Sequence, residues 1–219
     1  MTRVESARTG SRNRGYDESW PPVRGDYIVG DPAAGVAVVT LASQIFARYS
    51  QDPSPQVLCP ALGAALIGPC VTENLGVEKV VANIISNSNI RFLLICGAES
   101  KGHLPGNTLL ALHRNGIDDQ GRIAGSKGAI PFIQNLPPEA VKRFQEQVQL
   151  IDRIGLEDRK EIGRLIGEYN DLARPYPEEP FQVFRRRIRP ATAAAGEGDL
   201  AFGEGVVADA ASWLVFSEV

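Results

Sequence analysis

The feature that most constrains the fold is a pair of short, nearly all-apolar runs, residues 36–40 (VAVVT) and 90–97 (IRFLLICG), each bounded by glycine and polar residues. Runs of this length without in-out alternation are the pattern of strands buried on both faces. Residues 64–68 give a third such run. Between it and residue 90, Val77, Val80, Val81, Ile84 and Ile85 recur at i, i+3, i+4, i+7 and i+8, which is one face of a helix. Further helical signals follow: Leu109, Leu112 and His113 after Gly106; Val141, Phe144 and Val148 after Pro137 and Pro138; then Ile162, Leu165, Ile166 and Tyr169. Strands alternating with helices predict an α/β domain with a mostly parallel sheet flanked by helices. Right-handed crossovers then place ligands at the carboxyl ends of the strands, in the loops after Thr40, Gly68 and Gly97.

At 219 residues the chain is long enough for one sizeable core and short for two, so a single domain is expected. Residues 1–19 are polar and aperiodic and read as a flexible N-terminal segment. The ordered domain is placed at residues 20–180. Residues 181–219 carry a basic cluster (Arg185, Arg186, Arg187, Arg189), an Ala/Gly-rich linker at 190–199 and an apolar tail at 205–216 (GVVADAASWLVF). Asp209 interrupts that tail, which reads as a segment docking on its own domain or on another protein.

The net charge of −3, without basic and aromatic residues interleaved, argues against nucleic acid as a partner. No run of eighteen apolar residues and no secretory leader is seen, so no membrane span and a cytoplasmic location are expected. Cys59, Cys70 and Cys96 are too widely spaced for a zinc site and odd in number for a disulfide framework; they read as reduced, half-buried thiols.

The stretch 96–106 (CGAESKGHLPG) leaves a buried strand and enters a helix. It holds His103, one of only two histidines, between Gly102 and Gly106 at the ligand end of the sheet. Neutral imidazole is a good ligand for a borderline transition metal. No other His, Cys or carboxylate has matching local spacing, so a bare metal ion is not accounted for, whereas a metal already held by a macrocycle needs one axial ligand. Spacing alone equally allows a loop histidine bonded to backbone. The phosphate-loop pattern G-x-x-x-x-G-K-[ST] is absent, and Ser100 near His103 suggests nucleophilic catalysis only by composition. His113 lies in the next helical pattern and reads as a surface residue of that helix.

Several stretches resemble the A subunit of tetrahydromethanopterin S-methyltransferase (the MtrA family): 20–32 (WPPVRGDYIVGDP), 36–41 (VAVVTL), 68–76 (GPCVTENLG), 78–83 (EKVVAN), 89–106, 111–113 (ALH) and 127–132 (KGAIPF). They agree in order and spacing from about residue 20 to 180. The resemblance implies a Rossmann-like domain that binds a cobamide (a cobalamin-type corrinoid) with His103 as the lower axial ligand of its cobalt. It further implies a corrinoid pocket formed by Gly97, Ala98, Glu99, Gly102, Leu104 and Gly106 of the histidine loop, with Thr40, Leu41, Thr72, Glu73, Asn74, Lys127 and Gly128 from other loops.

The implied function is that of a methyl carrier. It would accept a methyl group on cobalt(I) from a methylated pterin, folate or similar donor and pass it on, working with a methyltransferase resembling the H subunit of the same complex and with a methyl-acceptor enzyme. A corrinoid-binding sensor or interaction module without methyl transfer is the alternative. The family's membrane-anchored members carry a helix after this domain, so this chain is expected to be a soluble homologue without the anchor. Many other corrinoid proteins use D-x-H-x-x-G; here Lys101 stands at the aspartate position, and Glu99, Ser100, backbone or water are the expected partners of the far ring nitrogen.

Overall fold

The computed structural model describes residues 15–17, 19–45 and 63–183, and three short strands between residues 200 and 217. The chain divides into two compact units, Met1–Val183 and Phe184–Val219. In the first, the elements run β1 (Ile28–Val29), β2 (Val36–Val39), β3 (Leu66–Gly68), α1 (Leu75–Ile85), β4 (Phe92–Gly97), α2 (Pro105–Asn115), α3 (Pro138–Gln147), β5 (Gln149–Ile154) and α4 (Arg159–Leu172). The second holds β6 (Leu200–Ala201), β7 (Val206–Ala208) and β8 (Val215–Ser217), an antiparallel sheet. The tail read as a docking segment thus supplies β7 and β8. The arginine cluster, the linker and Cys59 lie outside the described residues.

The main sheet has the order β1-β3-β2-β4-β5, in which β2 to β5 are parallel and β1 is an antiparallel edge. The three apolar runs form its centre. Ala37, Val39, Leu93 and Ile95 point into one core with α1, α2 and α3, whereas Val36, Val38, Leu94 and Cys96 point into a second core with α4. Burial on both faces is the reason these strands lack in-out alternation. From β2 the chain builds outward to β3 on one side and to β4 and β5 on the other. That reversal falls between β2 and β4, whose carboxyl ends are where sheets of this kind place a ligand.

The four helices among the described residues fall where the periodicity predicts. Pro105 and Pro138 stand in the first turns of α2 and α3, where a missing N–H costs nothing, and Gly116 (φ 70°) caps the end of α2. Two strands were not anticipated. β5 (QLIDRI) buries only Ile151 fully and carries charges outward, and β1 is two residues long. The N-terminal segment is engaged before residue 20: the Ser88 amide donates to the Gly15 carbonyl at 2.7 Å, Tyr16 bridges Asn87, and Trp20 is buried with its indole donating to the Asn83 carbonyl at 2.7 Å.

Candidate functional site

Three loops meet at the carboxyl ends of β2, β3 and β4. After β2, Thr40 and Leu41 turn the chain; after β3, residues 69–74 lead into α1; after β4, residues 98–104 lead into α2. Among the described residues, only Leu41 (φ 49°) and Leu104 (φ 47°) combine a side chain with positive φ, and both lie here. A left-handed leucine costs about 1–2 kcal/mol, so the fold accepts strain at this edge to set the loop paths. Gly97 (φ 84°) is required by close approach, since a Cβ there would run into the Thr40 carbonyl.

Glu99 is not the partner of His103. Its carboxylate accepts from the amides of Gly106 (3.1 Å) and Asn107 (2.7 Å), which replaces the missing side-chain cap of α2 and sets a negative charge at the helix's positive end. A Cβ on Gly106 would meet Glu99 and the side chains of Leu41 and Ile154, so the loops after β2 and β4 close on one another there. The Ala98 amide donates to Ser43 Oγ at 2.6 Å, and Ser43 donates in turn to Glu157. Ser43 was not singled out from the sequence, because nothing in its local pattern marks it.

The central pair joins two loops 30 residues apart. His103 Nδ1 lies 2.7 Å from Glu73 Oε2, with the histidine side chain 51% exposed and the glutamate 2% exposed. The carboxylate that the aspartate position, occupied by Lys101, does not provide is supplied instead by Glu73 from the loop after β3. Glu73 Oε1 accepts from the Ile130 amide at 2.7 Å. Burial pushes the Glu73 pKa up. Hydrogen bonds from the amides of Glu73 and Ile130, with the bond and charge of His103, outweigh it and hold the carboxyl below its ordinary value. An ionised carboxylate only accepts, so Nδ1 donates this bond and Nε2 is the ring nitrogen not engaged by Glu73.

Of the remaining loop residues, Gly128 packs against this pair and others tie the surrounding loops and helices together. Gly128 sits so close that a Cβ would lie 2.6 Å from the His103 carbonyl and 2.8 Å from Glu73 Cβ. The Ala129 amide donates to the carbonyl of Gly102, which is exposed, and the Lys127 amide donates to Asn107 Oδ1 while its own side chain is exposed. Thr72 Oγ1 accepts from the Gly76 amide and Asn74 Oδ1 from the Leu75 amide, so both oxygens serve the start of α1. Thr40 is fully buried, and its hydroxyl is the buried side-chain polar atom without a partner among the described residues.

His113 is not a surface residue. It is half-buried, with Nε2 2.6 Å from the Val148 carbonyl and its ring edge-on to Phe144 at 5.7 Å. Cys70 and Cys96 are free and buried more deeply than expected, and burial pushes each thiol up to about 12. Among the described residues no group of three or more His, Cys, Asp or Glu is placed to hold a metal ion, and no helix is long and apolar enough to cross a membrane.

The family model for the A subunit of tetrahydromethanopterin S-methyltransferase (MtrA) matches residues 13–181. The A subunit of the methyltransferase Mtx from Methanosarcina acetivorans is 50% identical over 199 residues, covering 90% of this chain and 94% of the relative. The corresponding protein of Methanosarcina barkeri is 52% identical over the same shares. One of two tetrahydromethanopterin S-methyltransferase A subunits from Methanobrevibacter ruminantium, the form numbered 1, is 56% identical over 142 residues, 64% of this chain and 54% of the relative. The motifs around Glu73 and His103 thus sit in a chain that belongs to the A-subunit family of tetrahydromethanopterin S-methyltransferase and is a methyltransferase component.

Proposed function

We propose that the chain is the corrinoid-binding methyl carrier of a methyltransferase system and that His103 is the lower axial ligand of the corrinoid's cobalt. The observation that carries this reading is the His103–Glu73 pair: a half-exposed imidazole at the ligand edge of the sheet, with Nδ1 held by a buried carboxylate and Nε2 left free. One protein nitrogen is too few for a bare metal ion and suffices as the axial ligand of a metal whose four equatorial positions belong to a macrocycle.

The surrounding residues fit such a group. The Thr40 hydroxyl is an orphan at the strand end, Gly102 has open space where a Cβ would be, and Gly97, Gly106 and Gly128 keep the loop backbones close. When bound, the corrinoid supplies a cobalt centre that takes up a methyl group and hands it on. The chain's part is to hold and tune that centre. Glu73 fixes the tautomer and orientation of His103 and raises its basicity as a ligand, and its bond to Ile130 ties the imidazole to the 126–130 loop.

Membership in a family of complex components brings partner proteins. The methyl donor is a methylated pterin, folate or similar compound presented by a partner methyltransferase, and a second partner removes the methyl group. The test is to reconstitute the protein with reduced corrinoid and a methyltransferase that co-purifies with it, then follow a labelled methyl group. Label arriving on the corrinoid and leaving to an acceptor supports the carrier; binding of the corrinoid without any methyl uptake assigns a sensor role instead.

A further inference from the structure

Two carboxylates at the start of α1, those of Glu73 and Glu78, are buried, and both bond the same loop. Glu78 Oε1 accepts from the amides of Gln134 (2.5 Å) and Asn135 (2.8 Å), and its Oε2 accepts from Asn135 Nδ2 (2.7 Å). Glu73 Oε1 takes the Ile130 amide, four residues earlier in that loop. Among the described residues no Lys, Arg or His pairs with Glu78. A buried carboxylate is costly to desolvate, and here three charge-assisted bonds to one loop offset that cost.

The loop so held is the one that lies on His103. The Ala129 amide donates to the Gly102 carbonyl, and Gly128 packs on the His103 carbonyl and on Glu73. Its early part is tied to the start of α2, through Ser126 Oγ with Thr108 Oγ1 and the Lys127 amide with Asn107 Oδ1. Its later part, residues 130–135, is tied to α1 by the two carboxylates. Burial of Ile133 and Leu136 draws that part to the core without direction, whereas the bonds from Gln134 and Asn135, both exposed residues, set its position along α1. Position matters at Ile130. With Oε1 engaged by that amide, Glu73 turns Oε2 to His103, so the carboxylate plane and the imidazole are fixed together. Without it, a buried oxygen loses its partner and the carboxylate rotates toward whatever donor is in reach.

We propose that Glu78 is a positioning residue for His103: it anchors the 128–135 loop on α1, keeps the Ile130 amide on Glu73, and through Glu73 keeps Nδ1 of His103 as the donor. The cause lies in the protein alone. Its consequence for cobalt ligation rests on the corrinoid reading above.

The first measurement needs no corrinoid. The chain has two histidines, and nitrogen-15 NMR of their rings in the full apo chain, at a pH where both are neutral, reads which nitrogen bears the hydrogen. His103 should be Nδ1–H, as donor to Glu73, and His113 Nε2–H, as donor to the Val148 carbonyl. Glu78→Leu keeps the bulk and deletes the acceptors; it should give His103 a second, Nε2–H population and leave His113 unchanged. Glu78→Gln, which retains an oxygen for the two amides, should restore the wild-type signal. Asn135→Gly removes one donor at an exposed position and should give a smaller change of the same kind, also where the leucine variant does not fold. The second measurement is binding of the cobalt(II) form of a phenolyl cobamide, whose tail ends in an aromatic ring that cannot ligate cobalt. Glu78→Leu should weaken it roughly threefold or more in the wild-type background and leave it unchanged in His103→Ala. An unaltered His103 signal in Glu78→Leu and Asn135→Gly, or an equal loss of affinity in both backgrounds, overturns the proposal and leaves the corrinoid reading intact. An altered signal in a chain whose wild type binds no corrinoid supports the anchoring and overturns the corrinoid reading.

Discussion

The two edges of the main sheet each carry a histidine and a buried charge, and they use them in opposite ways. At the amino edge of β4 and β5, His113 bonds the Val148 carbonyl and packs against Phe144, while Arg143 is nearly enclosed. The Arg143 guanidinium donates to Gln147 Oε1, Ser88 Oγ, Glu178 Oε2 and the Glu179 carbonyl and lies over the Tyr176 ring at 4.2 Å. Gln147 donates to the carbonyls of Ile84, Asn87 and Ile90. These polar groups are directed inward, and the segment leading to residue 183 is bound down by them. At the carboxyl edge Glu73 is as buried as Arg143, yet its partner His103 is half-exposed, two leucines are strained and a threonine hydroxyl is unpartnered. One edge is saturated by the protein itself; the other is held in shape with one ring nitrogen not engaged by the carboxylate. The difference separates inward-satisfied from outward-facing polar groups more sharply than residue type does, since each edge has one histidine.

The closed edge should dominate stability. Phe144→Ala removes a fully buried ring from between α3, the sheet and His113, and a loss of about 3–5 kcal/mol is expected in chemical denaturation. Arg143→Met keeps the bulk and deletes the donors, leaving Gln147 Oε1 short of its partner; about 1–3 kcal/mol is expected from the same measurement, with corrinoid affinity of the folded protein unchanged. A large loss of affinity in Arg143→Met would show that the two edges are not separate.

The open edge should report in binding. Glu73→Gln keeps the shape and removes the charge, and corrinoid affinity is expected to fall roughly 10–100-fold, measured by titration of absorbance. The same variant tests the acid dependence. The native pKa of Glu73 is depressed, so the unfolded chain takes up the proton first; its stabilising contribution is whole above the ordinary glutamate value of 4.5 and is lost as the pH falls through the lower native value. Urea midpoints of wild type and Glu73→Gln should therefore converge on acidification below that value, and parallel curves would contradict the assignment. Smallest of all, His103→Ala takes the side-chain partner from the buried Glu73 carboxylate, which keeps the Ile130 amide, and a loss of about 1 kcal/mol in apo-protein stability is expected.

Legibility in the sequence follows the range of the interactions. The central strands and the four helices among the described residues were readable because burial on two faces and the 3.6-residue period leave local traces. β5 was not, because an edge strand bearing Asp152 and Arg153 has no apolar run, and β1 is too short for any pattern. His103 was visible as a candidate through its glycines. Its carboxylate partner was misassigned to nearby residues, because the Glu73–His103 contact spans 30 residues and arises only when β3 and β4 flank β2. Glu99, favoured by proximity, is occupied in capping α2.

The central claim, imidazole of His103 on cobalt, is open to one direct measurement. The protein is loaded with the cobalt(II) form of a phenolyl cobamide, and its electron paramagnetic resonance spectrum is recorded with histidine at natural abundance and with histidine labelled with nitrogen-15. The account predicts a three-line axial nitrogen splitting that becomes two-line with the label and is absent from His103→Ala. A spectrum without axial nitrogen splitting, or one unchanged by the label or by the substitution, would contradict it.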